Sequence, residues 1–140
     1  MHKVFVDADV ILDLLAKREP FFSDSARLFV LIEKKEVSGF TSPLIIANIY
    51  YVLRKHTSKK TAIASIRRLR SLLDLLPLTQ TNIDRALESS FTDFEDAIQH
   101  EVAINNNMDF IITRNTKDYK KSKILAMSAK EYFLMWHVSS

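Results

Sequence analysis

Acidic side chains carry most of the chemistry open to this chain. Asp7 and Asp9 close an apolar run in Lys3-Val4-Phe5-Val6-Asp7-Ala8-Asp9-Val10-Ile11-Leu12-Asp13. A second cluster, Asp93-Phe94-Glu95-Asp96, opens a helical stretch, and the spacing of Asp93 and Asp96 puts both on one helix face. A third stretch, Thr113-Arg114-Asn115-Thr116-Lys117-Asp118, follows another apolar run. Carboxylates brought within about 5 Å of each other repel by roughly 3 kcal/mol per pair at an effective dielectric near 20. Such convergence requires a shared proton or a bound cation. The chain has no cysteine, and its histidines are scattered at positions 2, 56, 100 and 137. Oxygen donors alone favour Mg2+ or Mn2+ over Zn2+.

Each acid also has a purely structural reading. Asp9 and Asp93 could cap helices, Asp118 could cap a short helical turn, and Glu95 reads as a solvated first-turn acid. Asp7 is harder to assign that way, because it ends a buried run where an unpaired charge is costly. Asp96 precedes Ala97-Ile98 on an amphipathic helix and is expected to face inward with Asp93.

The bases frame this acidic centre. Arg54 to Arg70 holds seven Lys and Arg residues and no acid; Asp84 to Glu101 holds six acids and one base; Arg114 to Lys123 holds five bases and one acid. An acidic centre with basic rims suits a metal-dependent enzyme acting on a polyanion. The same first basic stretch is also what a solvated helix face looks like. The net charge of +3 adds little to either reading.

The elements that must position these groups follow from pattern. Residues 2–7 read as a strand buried on both faces, and 9–16 as a short helix with Asp9 as its N-cap, broken by Glu19-Pro20. A second helix starts at Ser23, with Ala26, Phe29 and Val30 in register. Gly39 leads into a strand ending near Thr41-Ser42, and Pro43 suits the first turn of a helix to about His56. A helix over 59–74 has Ile63, Ile66, Leu69 and Leu73 inward, followed by a strand at 75–78. Helices at 82–90 and 93–106, strands at 110–113 and 124–127, and a helix at 129–136 complete the chain. Alternation of this kind predicts a single α/β domain over 1–140, a parallel sheet covered on both faces. One glycine in 140 residues excludes glycine-rich phosphate loops of the Rossmann or P-loop kind. The absence of cysteine, of a signal-like N-terminus and of any long apolar run leads us to expect a cytoplasmic protein.

Three segments together resemble a known family. Val6-Asp7-Ala8-Asp9-Val10-Ile11-Leu12-Asp13, Asp93-Phe94-Glu95-Asp96-Ala97-Ile98-Gln99 and Ile111-Ile112-Thr113-Arg114-Asn115-Thr116-Lys117-Asp118-Tyr119 resemble, in order and spacing, the motifs of PIN domains. The length is similar to that of small prokaryotic members, including VapC-type toxins of toxin–antitoxin pairs. The resemblance implies a three-layer α/β/α sandwich with parallel strand order 3-2-1-4-5. It implies a Mg2+- or Mn2+-dependent ribonuclease, with Asp7 and Asp96 matching the core metal-binding acids and Asp93 and Asp118 completing the catalytic set. Asn115 stands where many members carry an aspartate. A homodimer and a small antitoxin that blocks the acidic site are the implied partners.

One departure is specific. The family usually carries a glutamate early in the helix after the second strand, and Asn48 takes its place in Thr41-Ser42-Pro43-Leu44-Ile45-Ile46-Ala47-Asn48. Asparagine keeps a carbonyl oxygen but loses the charge and cannot act as a base. The expectation is therefore a nuclease in which Asp9, Asn48 and Asn115 position water or phosphate. Arg114 and Lys117 would touch phosphate, and Lys59, Lys60, Arg67 and Arg70 would track the RNA backbone. The alternative is a PIN-like module that lost catalysis with the glutamate and retains nucleic-acid or partner binding. The Asp7-Ala8-Asp9 pair also resembles haloacid-dehalogenase phosphatases and response-regulator receivers. The former continue with a Gly-Thr-like turn and the latter need an aspartate ending the third strand, and neither is present here.

Overall fold

Valine, phenylalanine and isoleucine runs make the strands, and amphipathic stretches make the helices. The computed structural model describes residues 1–139. Its elements, in chain order, are β1 (Lys3–Val6), α1 (Ala8–Leu15), α2 (Phe22–Glu33), β2 (Ser38–Thr41), α3 (Pro43–His56), α4 (Lys59–Leu72), β3 (Asp74–Leu75), α5 (Gln80–Leu87), α6 (Phe94–Asn105), β4 (Phe110–Ile112), a short 3-10 helix (Thr116–Tyr119), β5 (Leu125–Met127) and α7 (Ala129–Ser139). The strands form one sheet of order β3-β2-β1-β4-β5, every pair parallel, as expected.

The centre of the sheet is dry. Val4, Phe5, Val6, Ile111 and Ile112 are fully buried, which requires cover on both faces. The helices supply it in two groups: α1, α2 and α7 with α3 and α4, and α5 with α6. The lone glycine, Gly39, allows close packing over β2. A Cβ there would stand 2.6 Å from a Leu73 methyl and 2.7 Å from an Ile32 methyl.

Several details differ from the sequence expectation. The third strand is only Asp74–Leu75, because Leu76 is the last residue hydrogen bonded to β2 and Pro77 follows. Ile63 and Val30 face solvent (36% and 49% exposed), while Leu28, Leu31 and Ile32 fill the core. The true stripe of α2 thus runs through Leu28, Leu31 and Ile32 with Phe29, a broader face than the Ala26-Phe29-Val30 register. No helix among the described residues is long and apolar enough to cross a membrane.

Candidate metal centre

Strand register sets the first corner of the site. Val6 lies opposite Ile112, so Asp7 and Thr113, one residue further on, emerge side by side at the C-terminal edge of the two central strands. Open parallel sheets place ligands in this crevice, where the chain order reverses. The Asp7 N–H donates to the Ile112 carbonyl at 2.9 Å and the Thr113 N–H to the Met127 carbonyl at 3.0 Å, so both backbones stay in ladder geometry.

Asp7 itself caps α1. Its Oδ1 accepts from the Ala8 N–H at 2.8 Å. The cap expected at Asp9 therefore moves two residues earlier, because the strand stops at Val6 and the chain turns at once into the helix. The other Asp7 oxygen, Oδ2, accepts from the Thr113 hydroxyl at 3.0 Å and faces the Tyr119 hydroxyl at 3.4 Å. Asp9 sits in the first turn and ties down the loop after β4. Its Oδ2 accepts from the Arg114 N–H (3.0 Å), the Asn115 side-chain amide (3.3 Å) and the Thr113 hydroxyl (3.3 Å). Its Oδ1 is buried with no hydrogen-bond partner.

The second corner comes from α6. Asp93 caps that helix, accepting from the Asp96 N–H at 2.9 Å, and is itself exposed rather than inward. Asp96, half-buried, reaches the Tyr119 hydroxyl at 3.5 Å through Oδ1. Tyr119, only 3% exposed, thus stands between Asp7 and Asp96. The helix positions are fixed at the same sheet edge by a buried pair: the Ser42 hydroxyl caps α3 by accepting from the Ile45 N–H (3.2 Å) and donates to Gln99 Oε1 on α6 at 2.7 Å. Asn48 lies further along α3, between the buried Ile45 and Ile49. It is partly buried, and its side chain makes no hydrogen bond with another described residue.

These acids press on one another. Burial, followed by the charge of Asp9, pushes Asp7 up to about 6. Burial, followed by the charges of Asp93, Asp7 and Asp118, pushes Asp96 up to about 7. Burial also raises Asp9. Burial, then Asp7 and Asp96, holds the Tyr119 hydroxyl far above its ordinary value, so it remains a neutral donor.

A hard divalent cation fits this arrangement. Among the described residues no three His, Cys, Asp or Glu groups close a metal cage by themselves. Mg2+ rarely uses such a cage; one or two carboxylates hold it and waters and substrate phosphates supply the remaining oxygens. Two partly buried acids that repel each other, together with the unpartnered Asp9 oxygen, suit an added positive charge.

The bases divide. Arg114 is committed: its guanidinium forms a bidentate pair with the buried Asp13, so the free phosphate contact expected of it is not its arrangement here. Lys117 is exposed on the 3-10 helix near the acids. Lys59, Lys60 and Arg67 lie along the exposed face of α4, and the Arg70 guanidinium donates to the Leu73 carbonyl at 2.8 Å. A 14-residue helix rises about 20 Å, so α3 carries the turn before Lys59 and Lys60 that far from the Ser42 anchor. A concavity of about 600 Å³ beside Val37, Ser38 and Asp74 is lined by the start of β2 and not by the paired acids. Sequence reasoning did not single out Tyr119, Gln99 or Asp13. The available signal for Tyr119 was an aromatic following Asp118.

A parallel sheet of this order, with carboxylates following β1 and on α6 brought to its switch point, defines a class of α/β fold with an acidic edge. Comparison with known proteins makes the class specific. A family model described as PIN domain matches residues 3–117, and the chain belongs to that family. Over 141 aligned residues it is 27% identical to Ribonuclease VapC1 of Aquifex aeolicus (strain VF5), covering 97% of this chain and 96% of that protein. The fold is similar to that of VapBC2 from Rickettsia felis bound to a DNA fragment from their promoter (TM-score 0.69, 16% identity, 90% of this chain and 97% of the other). It is also similar to Mycobacterium tuberculosis VapC20, a sarcin-ricin loop cleaving toxin (TM-score 0.66, 16% identity, 84% and 94%).

Proposed function

We propose that this protein is a Mg2+- or Mn2+-dependent endoribonuclease and the toxin of a toxin–antitoxin pair. The observation that carries the reading is the placement of Asp7 and Asp96 on either side of Tyr119 at the C-terminal sheet edge. The name of the Aquifex relative supports the ribonuclease class.

Asp7 and Asp96 would hold the cation, with Asp93 and Asp118 adding oxygens directly or through water. When bound, the ion lowers the pKa of an attacking water and offsets charge developing on the phosphate. The Thr113 hydroxyl fixes the orientation of the Asp7 carboxylate. Asp9 holds the loop that presents Asn115. Asn48 and Asn115 would orient water or a phosphate oxygen, and Lys117 would meet the phosphate. Lys59, Lys60 and Arg67 could follow a longer RNA along α4.

An antitoxin would seat in an apolar groove. A groove of about 500 Å³ between α1, α2 and α4 is lined by Leu14, Leu15, Phe22, Phe29 and Leu72. Solved complexes such as VapBC-1 of nontypeable Haemophilus influenzae share this fold (TM-score 0.69). A homodimer is part of the proposal, supported by Tyr51, 69% exposed on α3; Tyr50, Phe133 and Trp136 are partly buried against the core.

The test is a Mn2+ titration of RNA cleavage by wild type, Asp7→Ala and Asp96→Ala. Metal-dependent product from wild type, with each variant reduced at least about 100-fold, is expected for loss of a metal ligand. Equal residual cleavage by all three would remove the assignment. Asn48 motivates a second reading, a binding module without turnover; RNA retention with no metal-dependent product would favour it.

A further inference from the structure

Next to the acids opens a cleft of about 220 Å³. One wall is the loop before α6, with Thr92 and Asp93; the other is the 3-10 helix and the loop after it, with Lys117, Asp118, Lys120 and Lys121. Acids and lysines share this space without neutralising each other. Among the described residues neither Lys117 nor Lys120 makes a side-chain hydrogen bond or ion pair. The Lys121 ammonium donates to the Ser90 carbonyl at 3.1 Å, which occupies one of its three donors and leaves its charge uncompensated.

The walls are braced. That same Lys121 contact ties one loop to the other. Phe91 stacks on His100 at 4.7 Å and meets the Tyr119 ring edge-on at 6.0 Å. The Lys123 N–H donates to His100 Nε2 at 3.0 Å. Three cationic side chains thus line a small concavity that also carries Asp93 and Asp118, the acids flanking Asp96 and Tyr119 in sequence. At 220 Å³ it falls below the roughly 300 Å³ of ordinary small-molecule sites. A phosphate with its sugar fits such a space.

We propose that this cleft is an RNA backbone subsite, in which Lys120 and Lys121 together with Lys117 grip a phosphate flanking the one at the acidic centre. The inference rests on the nuclease reading and deepens it. Lysine is a point-charge phosphate binder, so the subsite strengthens binding of all sequences alike and reads none of them. Its signature is a share of the salt dependence. Each phosphate contact on a single strand contributes about 0.7 to the slope of log affinity against log salt.

The test compares wild type with a Lys120→Gln, Lys121→Gln double variant, in which glutamine can still donate to the Ser90 carbonyl. Binding of fluorescein-labelled single-stranded RNAs of unrelated sequence is followed by anisotropy in EDTA, from 50 to 200 mM salt. The slope should become shallower by about 0.7 to 1.4 for the loss of one or two contacts, equally for every RNA. A Lys34→Ala, Lys130→Ala variant, which removes the same charge from exposed positions on other elements, should keep the wild-type slope. If the cleft variant keeps the wild-type slope, or the control variant loses as much, while Mn2+-dependent cleavage persists, the subsite is overturned and the nuclease reading stands. If wild type neither binds nor cleaves RNA, both fall together.

Discussion

The Arg114 guanidinium grips both oxygens of the Asp13 carboxylate along one edge, Nε to Oδ2 at 2.8 Å and Nη2 to Oδ1 at 3.1 Å. It also lies over the Phe21 ring at 4.1 Å. Its own N–H is held by Asp9. One residue therefore joins α1, the connection to α2, and the loop that carries Asn115 and Tyr119 toward the acids. A base whose position beside the acids suggested phosphate contact is a clamp that orients the site.

The clamp predicts an asymmetry. Asp13 is fully buried and the Arg114 side chain is 29% exposed. Arg114→Ala strands a buried carboxylate and should cost about 3–5 kcal/mol. Asp13→Ala strands a partly solvated cation and should cost visibly less. Urea denaturation of the two variants measures the difference; equal costs would contradict the burial argument.

Metal-free stability should depend on pH with a defined sign. Asp7 and Asp96 are raised to about 6 and about 7, so the native state holds protons the unfolded chain has released. The stability they contribute is complete below the unfolded carboxylate value and is lost as pH rises through 6 and 7. His100, lowered to about 4 first by burial and then by Lys123, acts oppositely, costing stability as pH falls below its unfolded value of about 6.5. The two carboxylates outweigh the one histidine, so the expected profile in EDTA declines from about pH 4 to pH 7 and levels off above it. Saturating Mn2+ should abolish the decline, because the cation and the protons compete for the same carboxylates. Thermal melts across pH 5–8, with and without metal, test both parts.

Restoring a carboxylate at position 48 should tighten the metal site. A charge-assisted contact is worth roughly 1.5–3 kcal/mol, or about ten- to a hundred-fold in affinity. Asn48→Glu should lower the Mn2+ dissociation constant in calorimetry by that factor and lower the melting temperature in EDTA, since it adds another repelling acid. An unchanged dissociation constant would show that α3 does not turn position 48 toward the ion.

Tyr119→Phe keeps the ring that packs edge-on against Phe91 and removes the hydroxyl between Asp7 and Asp96. The lost donor should cost the metal-free protein about 1 kcal/mol, a fall of roughly 3 °C in a chain of this size. With Mn2+ bound the two acids have a stronger partner, and the difference from wild type should shrink. A difference that is the same with and without metal would place the hydroxyl's role in packing alone.

What the sequence determined by itself was the alternation of elements, the parallel class of the sheet and the acids that meet at its edge. These depend on local pattern: apolar runs ending in Asp7 and Thr113, and an acid, Asp96, in the first turn of α6. Strand order followed from the resemblance of three motifs, and the register then brought Asp7 next to Thr113. The partners of each charge were decided only by tertiary structure. Asp13 and Arg114 are 101 residues apart, Ser42 and Gln99 57 apart, and Asp7 and Tyr119 112 apart. Nothing local distinguishes an arginine that will reach a phosphate from one that will close on a buried carboxylate. Burial makes that choice, because an unpaired charge at Asp13 would cost more than a lost surface contact at Arg114 gains.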